Sequence, residues 1–256
     1  MGEVRLETAD GILTVTLADV ENRNALGATV VNGLHDAITE ANADPTIRAV
    51  VVTNEGTTFC AGANLKQASG ATKGEMPKLG FEALLAEIQC SPTPMIGKIK
   101  GHVVGGGNGL AAALDIAIAQ DDVKFGFTEV RLGVVPAIIS VVCLPKMRHG
   151  EAMEVFLRGN RFPASRAAEL GLISRAVPAD QLDAAVDEVL ADLRLGGPNA
   201  LGFAKRLIYE VPEMEQQEAF AWAADLSGQL FRGEEAAAGM KAFLKREKPP
   251  WAVDEE

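Results

Sequence analysis

Two glycine-rich turns, roughly forty residues apart, constrain this chain more than any other feature. They read Ala61-Gly62-Ala63-Asn64-Leu65 and Gly105-Gly106-Gly107-Asn108-Gly109, and each follows an apolar run and precedes a predicted helix. Turns that are poor in side chains expose backbone N–H groups, and the dipole of the following helix favours negative charge beside them. Two such N–H groups aimed at one carbonyl oxygen form an oxyanion hole. The pair of turns therefore predicts stabilisation of an enolate.

Short strands alternate with helices along most of the chain. Hydrophobic periodicity predicts strands at 4–6, 12–17, 49–53, 95–99, 116–119 and 124–127. It predicts helices at 26–43, 81–88, 110–114, 150–157, 165–170, 182–193, 200–209 and 214–231, with a linker at 69–80. Two glycines and a proline at 196–198 mark a soft boundary. We therefore expect an α/β fold with a core at 1–195 and a helical, oligomerising region at 196–256.

Composition limits the class of partner. The net charge of -11 disfavours a nucleic-acid or membrane-surface partner, because phosphate groups are bound by basic stripes. Hydrophobic residues make up 48% of the chain and charged residues 23%, and no apolar run approaches the length of a membrane span. The N-terminal residues enter a strand pattern directly, without the apolar segment of a signal peptide. We therefore expect a cytoplasmic protein.

The cysteines and histidines indicate neither a disulfide framework nor a metal site. They are few, far apart and without ligand spacing: Cys60, Cys90, Cys143, His35, His102 and His149. We expect reduced cysteines and no metal ion. His102 could line a pocket beside the second glycine turn, but a buried histidine that is hydrogen-bonded to the backbone is the favoured interpretation.

Several segments, in order along the chain, carry a family resemblance. They are RNAL at 23–26, FCAGANLK at 59–66, GHVVGGG at 101–107, FGFTEVRLG at 125–133, AELGLI at 168–173, FLKR at 243–246 and PPW at 249–251. With these motifs the sequence resembles the crotonase family, also called the enoyl-CoA hydratase/isomerase superfamily. The resemblance implies a spiral of ββα units, assembled as a homotrimer or a dimer of trimers. It also implies binding of acyl-CoA thioesters, with no cofactor besides the coenzyme A of the substrate.

The resemblance also assigns a binding site. It implies that the oxyanion-hole donors are the backbone N–H groups of Ala63 and Gly106. The other implied substrate-binding residues are Ala25, Ala61, Asn64, Leu65, Lys66, Gly105, Gly109 and Arg246. One glycine run alone would favour tight packing of a helix against a strand, but two turns in the family's order favour a functional site. The glycine spacing fits neither the dinucleotide-binding fingerprint nor a P-loop.

Glu129 is the predicted catalytic carboxylate. Hydratases of the family usually hold a water between two glutamates, and here Glu129 matches the second while Gly109 stands in place of the first. Without the resemblance, Glu129 would be interpreted as a surface carboxylate paired with Arg131. With it, apolar neighbours such as Val134 and Val135 are expected to desolvate the carboxylate and raise its pKa. A raised pKa suits proton transfer near neutral pH.

Three functions stay open. Glu129 could activate a water that adds to an enoyl-CoA, which is hydratase chemistry, or move a proton between two carbons, which is isomerase chemistry. The chain could also be a non-catalytic acyl-CoA-binding member of the fold, because folds persist when their chemistry is lost. The segment 129–140 resembles bacterial methylglutaconyl-CoA-type hydratases, in which a glycine also replaces the first glutamate. This resemblance favours the hydratase.

Overall fold

The computed structural model describes residues 3–65 and 75–252. The strands are β1 Val4–Ala9, β2 Ile12–Leu17, β3 Ala49–Asn54, β4 Thr58–Cys60, β5 Met95–Ile99, β6 His102–Val104, β7 Ile116–Gln120, β8 Lys124–Gly126, β9 Phe162–Pro163 and β10 Arg175–Val177. The α-helices are α1 Ala28–Ala43, α2 Phe81–Cys90, α3 Gly106–Ala113, α4 Ala137–Cys143, α5 His149–Arg158, α6 Ala164–Glu169, α7 Leu182–Leu195, α8 Pro198–Glu210, α9 Gln216–Phe231 and α10 Glu234–Lys245. Short 3-10 turns lie at Val20–Asn22, Glu129–Leu132, Leu144–Lys146, Ala179–Gln181 and Val211–Glu213.

The strands form two sheets that the chain visits in turn. The larger sheet has the order β1-β2-β3-β5-β7-β10, with only the β1–β2 pair antiparallel. The smaller sheet has the order β4-β6-β8-β9, with only the β8–β9 pair antiparallel. Each of β3, β5 and β7 is followed by one strand of the smaller sheet before the next helix. This arrangement confirms the predicted α/β fold as a spiral of ββα units.

The central strand β3 is buried on both faces of the larger sheet. All its residues are buried, as expected for a parallel strand that is covered by helices on both sides. On one face Val50 and Val52 pack in the main core with apolar side chains of α1. On the other face Val51 packs with apolar side chains of α7. The sheet is thus a rigid base for the loops that leave its strands.

Most predicted elements are confirmed close to their predicted ends, but the helix after the second glycine run is an exception. The sequence predicts it at 110–114, whereas α3 begins at Gly106 with Gly105 as its N-cap. Glycine has a low helix propensity, but close packing decides here, because a Cβ on Gly107 would lie 2.4 Å from the Cys60 carbonyl oxygen. The second and third glycines of the run therefore belong to the first turn of the helix.

The sequence analysis missed several short elements. These are β4, β6, β9 and β10, the helices α4 and α10, and the 3-10 turn that begins at Glu129. Part of the predicted linker, 69–74, lies outside the described residues.

The predicted boundary at 196–198 falls between α7 and α8. Lys205 of α8 is buried, forms a 2.9 Å ion pair with Asp115 and donates to the Ile88 carbonyl oxygen at 2.7 Å, so α8 is tied to the core. Large apolar side chains of α9 and α10 are exposed, including Phe220, Phe231, Phe243 and Leu244. Oligomerisation through this region stays a prediction. Within 3–65 and 75–252, every helix is too short or too polar to cross a lipid bilayer.

Candidate active site

The first glycine turn follows β4 and is held against the second. Gly62 has a φ of +79°, which L side chains rarely adopt, and a Cβ there would lie 2.7 Å from the Gly106 nitrogen. The Leu26 N–H donates to the Gly62 carbonyl oxygen at 2.8 Å, which fixes the peptide that precedes Ala63. The two turns are therefore in direct backbone contact at Gly62 and Gly106.

Two backbone donors in these turns lack an intramolecular partner. Over the described part of the chain, neither the Ala63 N–H nor the Gly106 N–H is hydrogen-bonded to a backbone acceptor. Gly106 is the first residue of α3, where an N–H has no acceptor inside the helix and the helix dipole is positive. Both amides are thus available to an anionic oxygen.

Glu129 opens the 3-10 turn after β8 and is half-buried. Burial raises the pKa of its carboxyl group, and a weaker backbone hydrogen bond opposes this effect. Its Oε2 atom is buried without a hydrogen-bond partner among the described residues. Arg131 turns away and donates to the Arg158 carbonyl oxygen at 3.5 Å. The interpretation of Glu129 as a surface carboxylate paired with Arg131 is therefore wrong.

A cavity of about 470 Å³ joins these groups. Its walls include the predicted residues Ala61, Ala63, Leu65, Gly105, Gly106 and Glu129. The rest of the lining is mostly apolar and comes from Leu26, Phe81, Val104, Thr128, Leu132 and residues 134–139. Glu129 reaches the second turn directly, since a Cβ on Gly105 would lie 3.5 Å from its Oε1 atom. Two free amides and a carboxylate with a raised pKa therefore border one apolar cavity.

Gly109 does not line this cavity, contrary to its prediction as a substrate-binding residue. It is buried inside α3, and a Cβ at this position would lie only 2.2 Å from Cγ2 and 2.7 Å from Cβ of Ile139. Ile139 of α4 is itself 3% exposed and forms part of the cavity wall. A hydrocarbon side chain thus occupies the space into which a side chain at position 109 would project.

A second, more polar cavity of about 570 Å³ adjoins the first. The two share Ala61, Ala63, Leu65 and Val104 as lining residues. The polar cavity also contains the predicted residues Ala25 and Asn64, together with Glu21, Asn22, Arg23, Thr57, Thr58, His102 and Arg161. The prediction for His102 was incomplete: it accepts a 3.0 Å hydrogen bond from the Lys124 N–H but is only partly buried. Sequence reasoning missed Arg161, which no motif marks.

Two predicted basic contacts lie elsewhere. Lys66 is outside the described residues. Arg246 caps the C-terminal end of α10 and lines neither cavity of this chain. Its implied role in substrate binding stays a prediction. Within 3–65 and 75–252, no group of His, Cys, Asp and Glu side chains has the arrangement of a metal site.

Comparisons with known proteins agree with this architecture. The family model for enoyl-CoA hydratase/isomerase matches residues 7–254. A "Probable enoyl-CoA hydratase" of Mycobacterium bovis is 31% identical over 236 residues, which cover 92% of each chain. The crystal structure of an enoyl-CoA hydratase/isomerase from Marinobacter aquaeolei has a TM-score of 0.88 at 30% identity, covering 98% of this chain and 99% of that one. Human enoyl Coenzyme A hydratase domain-containing protein 3 shares the fold, with a TM-score of 0.88 at 21% identity.

The spiral of ββα units and these similarities confirm the resemblance to the crotonase superfamily. The chain belongs to the enoyl-CoA hydratase/isomerase family and is an enzyme of the crotonase type.

Proposed function

We propose that the protein is an enoyl-CoA hydratase that adds water to a 2-enoyl-CoA thioester. One observation carries the proposal: the unpaired amides of Ala63 and Gly106 and the carboxylate of Glu129 border the same apolar cavity. An apolar cavity suits the acyl group, while two amides suit a thioester oxygen that gains negative charge. The Mycobacterium bovis relative is named as a probable enoyl-CoA hydratase, which supports hydration as the reaction.

In the proposed reaction one carboxylate serves as both base and acid. Glu129 takes a proton from water while the water oxygen bonds to C3 of the substrate. The electrons of the C2–C3 double bond move toward the thioester, and the Ala63 and Gly106 N–H groups hydrogen-bond to the enolate oxygen. The protonated Glu129 then gives a proton to C2, which restores the carbonyl group and the ionised carboxylate. A pKa raised by burial favours this return of the proton.

The polar cavity is the proposed site of the coenzyme A moiety. Arg23 and Arg161 both line it, and a guanidinium group binds phosphate through paired, charge-assisted hydrogen bonds. The shared wall at Ala61 and Ala63 would let one extended thioester occupy both cavities. We also propose Lys66 and Arg246 as further contacts, with Arg246 acting across a homotrimer or a dimer of trimers. No separate cofactor is part of the proposal.

A second candidate function is isomerisation of a 3-enoyl-CoA, and Ile139 favours it. The hydrocarbon beside Gly109 leaves no second carboxylate there to hold a water. In this reaction Glu129 takes a proton from C2, the double bond moves into conjugation, and the proton returns to C4. The same two amides stabilise the dienolate oxygen.

One experiment separates these functions. The protein is incubated with a 2-enoyl-CoA and, separately, a 3-enoyl-CoA in ¹⁸O-labelled water, and the products are read by mass spectrometry. Incorporation of labelled water supports the hydratase, whereas double-bond migration without label supports the isomerase. Binding of both compounds without any product would contradict both enzymatic proposals and support the non-catalytic alternative.

The role of Glu129 has its own control. Glu129→Gln should lower kcat by about 10²- to 10⁴-fold, the usual contribution of a general acid–base group. Glu213→Gln, an exposed site on a 3-10 turn, should leave kcat unchanged. Full turnover by folded Glu129→Gln would refute the proposed role of this carboxylate.

A further inference from the structure

We infer that Asn108 is a positioning residue that aims the Gly106 N–H into the cavity. This inference rests on the proposed oxyanion hole but not on which reaction follows. The Asn108 side chain is fully buried in α3, and its Nδ2 atom donates to two carbonyl oxygens: Gly105 O at 3.0 Å and Gly126 O at 2.9 Å. The sequence analysis gave Asn108 no role in the site.

The geometry of one peptide group connects Asn108 to the hole. The Gly105 carbonyl and the Gly106 N–H belong to the same peptide unit, and the described chain contains no cis peptide bond. In a trans peptide these two groups point in opposite directions. The Gly105 oxygen receives both the Asn108 backbone N–H, at 2.9 Å, and the Asn108 side-chain amide. By holding that oxygen toward the protein interior, Asn108 directs the Gly106 N–H toward the cavity.

This peptide needs such a restraint because the residues on both of its sides are glycines. Glycine has no Cβ to limit φ and ψ, so rotation of the peptide meets little local steric resistance. A rotated peptide would present the Gly105 carbonyl oxygen to the cavity, where it would repel an enolate. Asn108 opposes this rotation through a third anchor, because Gly126 O accepts from both the Gly105 N–H, at 3.0 Å, and Asn108 Nδ2. The turn is thereby tied to strand β8.

The energetics of Asn108 fit a donor role. Its Oδ1 atom is buried without a partner among the described residues, which is unfavourable. A leucine would fill a similar volume without leaving a polar atom unpaired. The hydrogen bonds from Nδ2 are therefore what distinguishes asparagine from an apolar residue at this position.

The test uses a bound chromophore rather than turnover alone. Cinnamoyl-CoA is a conjugated enoyl thioester, and hydrogen bonds to its carbonyl oxygen shift its absorbance to longer wavelength. We expect Asn108→Leu to reduce this red shift and to lower kcat by about 10- to 100-fold, with less than about a threefold change in KM. The fall in kcat is somewhat smaller than the 10²- to 10³-fold cost of deleting an oxyanion donor. A purely structural role would not reduce the red shift of ligand bound to the folded variant.

Asn54→Leu is the matched control. Asn54 is also buried and its side-chain amide also donates to backbone carbonyls, at Glu55 and Gly56, but it lines neither cavity. It should lose stability while keeping the full red shift. Equal loss of red shift in Asn54→Leu and Asn108→Leu would overturn the inference.

Asn108→Asp gives a second test if the leucine variant does not fold. An ionised aspartate cannot donate to Gly105 O or Gly126 O, whereas a protonated one can donate one hydrogen bond. Burial beside two carbonyl oxygens should raise the pKa of this aspartate. The red shift should therefore be small at alkaline pH, where the aspartate is ionised, and recover as the pH falls. A full red shift in Asn108→Leu, or one in Asn108→Asp that stays full at alkaline pH, refutes the role of Asn108 alone. A wild-type protein that binds cinnamoyl-CoA without a red shift refutes the oxyanion hole and this inference together.

Discussion

A methyl group added at Gly109 should collide with Ile139. The Cβ of a Gly109→Ala variant would lie 2.2 Å from Cγ2 of Ile139, whereas carbon atoms in contact are about 3.5–4.0 Å apart. Ile139 is β-branched and buried in α4, so few rotamers are open to it. The collision must therefore be relieved by moving α3 and α4 apart. Gly106 is the first residue of α3, and both helices contribute residues to the cavity wall.

The expected cost follows from two opposing effects. Overpacking of a core costs about 1–3 kcal/mol. Replacing a glycine by alanine inside a helix returns about 0.5–1 kcal/mol. Gly109→Ala should therefore lower the free energy of unfolding by up to about 2.5 kcal/mol. Ile139→Ala removes the Cγ2 atom, so the same Gly109 substitution should cost less in that background.

A double-mutant cycle measures this coupling. The free energies of unfolding of the wild type, both single variants and the double variant are compared by urea titration at one protein concentration, since assembly would make stability concentration-dependent. We expect a favourable coupling energy of about 1 kcal/mol, within the range found for residues in contact. Additive single effects, or a stabilised Gly109→Ala variant, would refute the claim that Ile139 fills this space.

Three further predictions concern single sites. Burial raises the pKa of Glu129, so the folded state binds more protons than the unfolded state at pH values between the two pKa values. The free energy of unfolding therefore falls as the pH rises through that range. Glu129→Gln should be more stable than the wild type at pH 8, and this difference should vanish below about pH 4, as checked by urea titration at both pH values. Gly62→Ala should lose both stability and kcat, because its φ is positive and its Cβ would press on the Gly106 nitrogen; wild-type values in both assays would contradict this. Lys205→Met should lower the free energy of unfolding by about 3–5 kcal/mol, because it leaves Asp115 without its ion-pair partner in the core. The double variant Lys205→Met with Asp115→Asn should be less destabilised than Lys205→Met alone, as measured by thermal unfolding.

Hydrophobic patterns that extend over five or more residues were enough to predict the larger elements. Strands such as β2 and β5 and helices such as α1 and α7 contain enough residues for their apolar spacing to be recognised. The strands β4 and β6 contain three residues each, and they are defined by pairing with each other across the smaller sheet. Such pairing is a tertiary property, so local periodicity does not contain it. The same limit applies to α3, whose start depends on the close approach of Gly107 to Cys60.

In the candidate site, the ordered motifs predicted those residues that contribute a backbone amide or the single carboxylate. Ala63, Gly106 and Glu129 were predicted in this way, and the structure brings them to one cavity. Arg161 was missed because its cavity is assembled from distant segments. Gly109 was assigned to the cavity because it stands in place of the family's first glutamate. That correspondence gives no information about Ile139, which comes thirty residues later and covers Gly109.

The contact between positions 109 and 139 bears directly on the proposed chemistry. Because a side chain at 109 would need the space of Ile139, a second carboxylate cannot enter there without a smaller residue at 139. In the proposed reaction, Glu129 is then left to accept the proton and to return it, and burial that raises its pKa makes the return easier. In the proposed reaction, stabilisation of the enolate needs no side chain at position 109, since its proposed donors are the backbone amides of Ala63 and Gly106. The absence of a second acid at position 109 would therefore change how the proposed reaction handles water, while the proposed oxyanion hole stays in place.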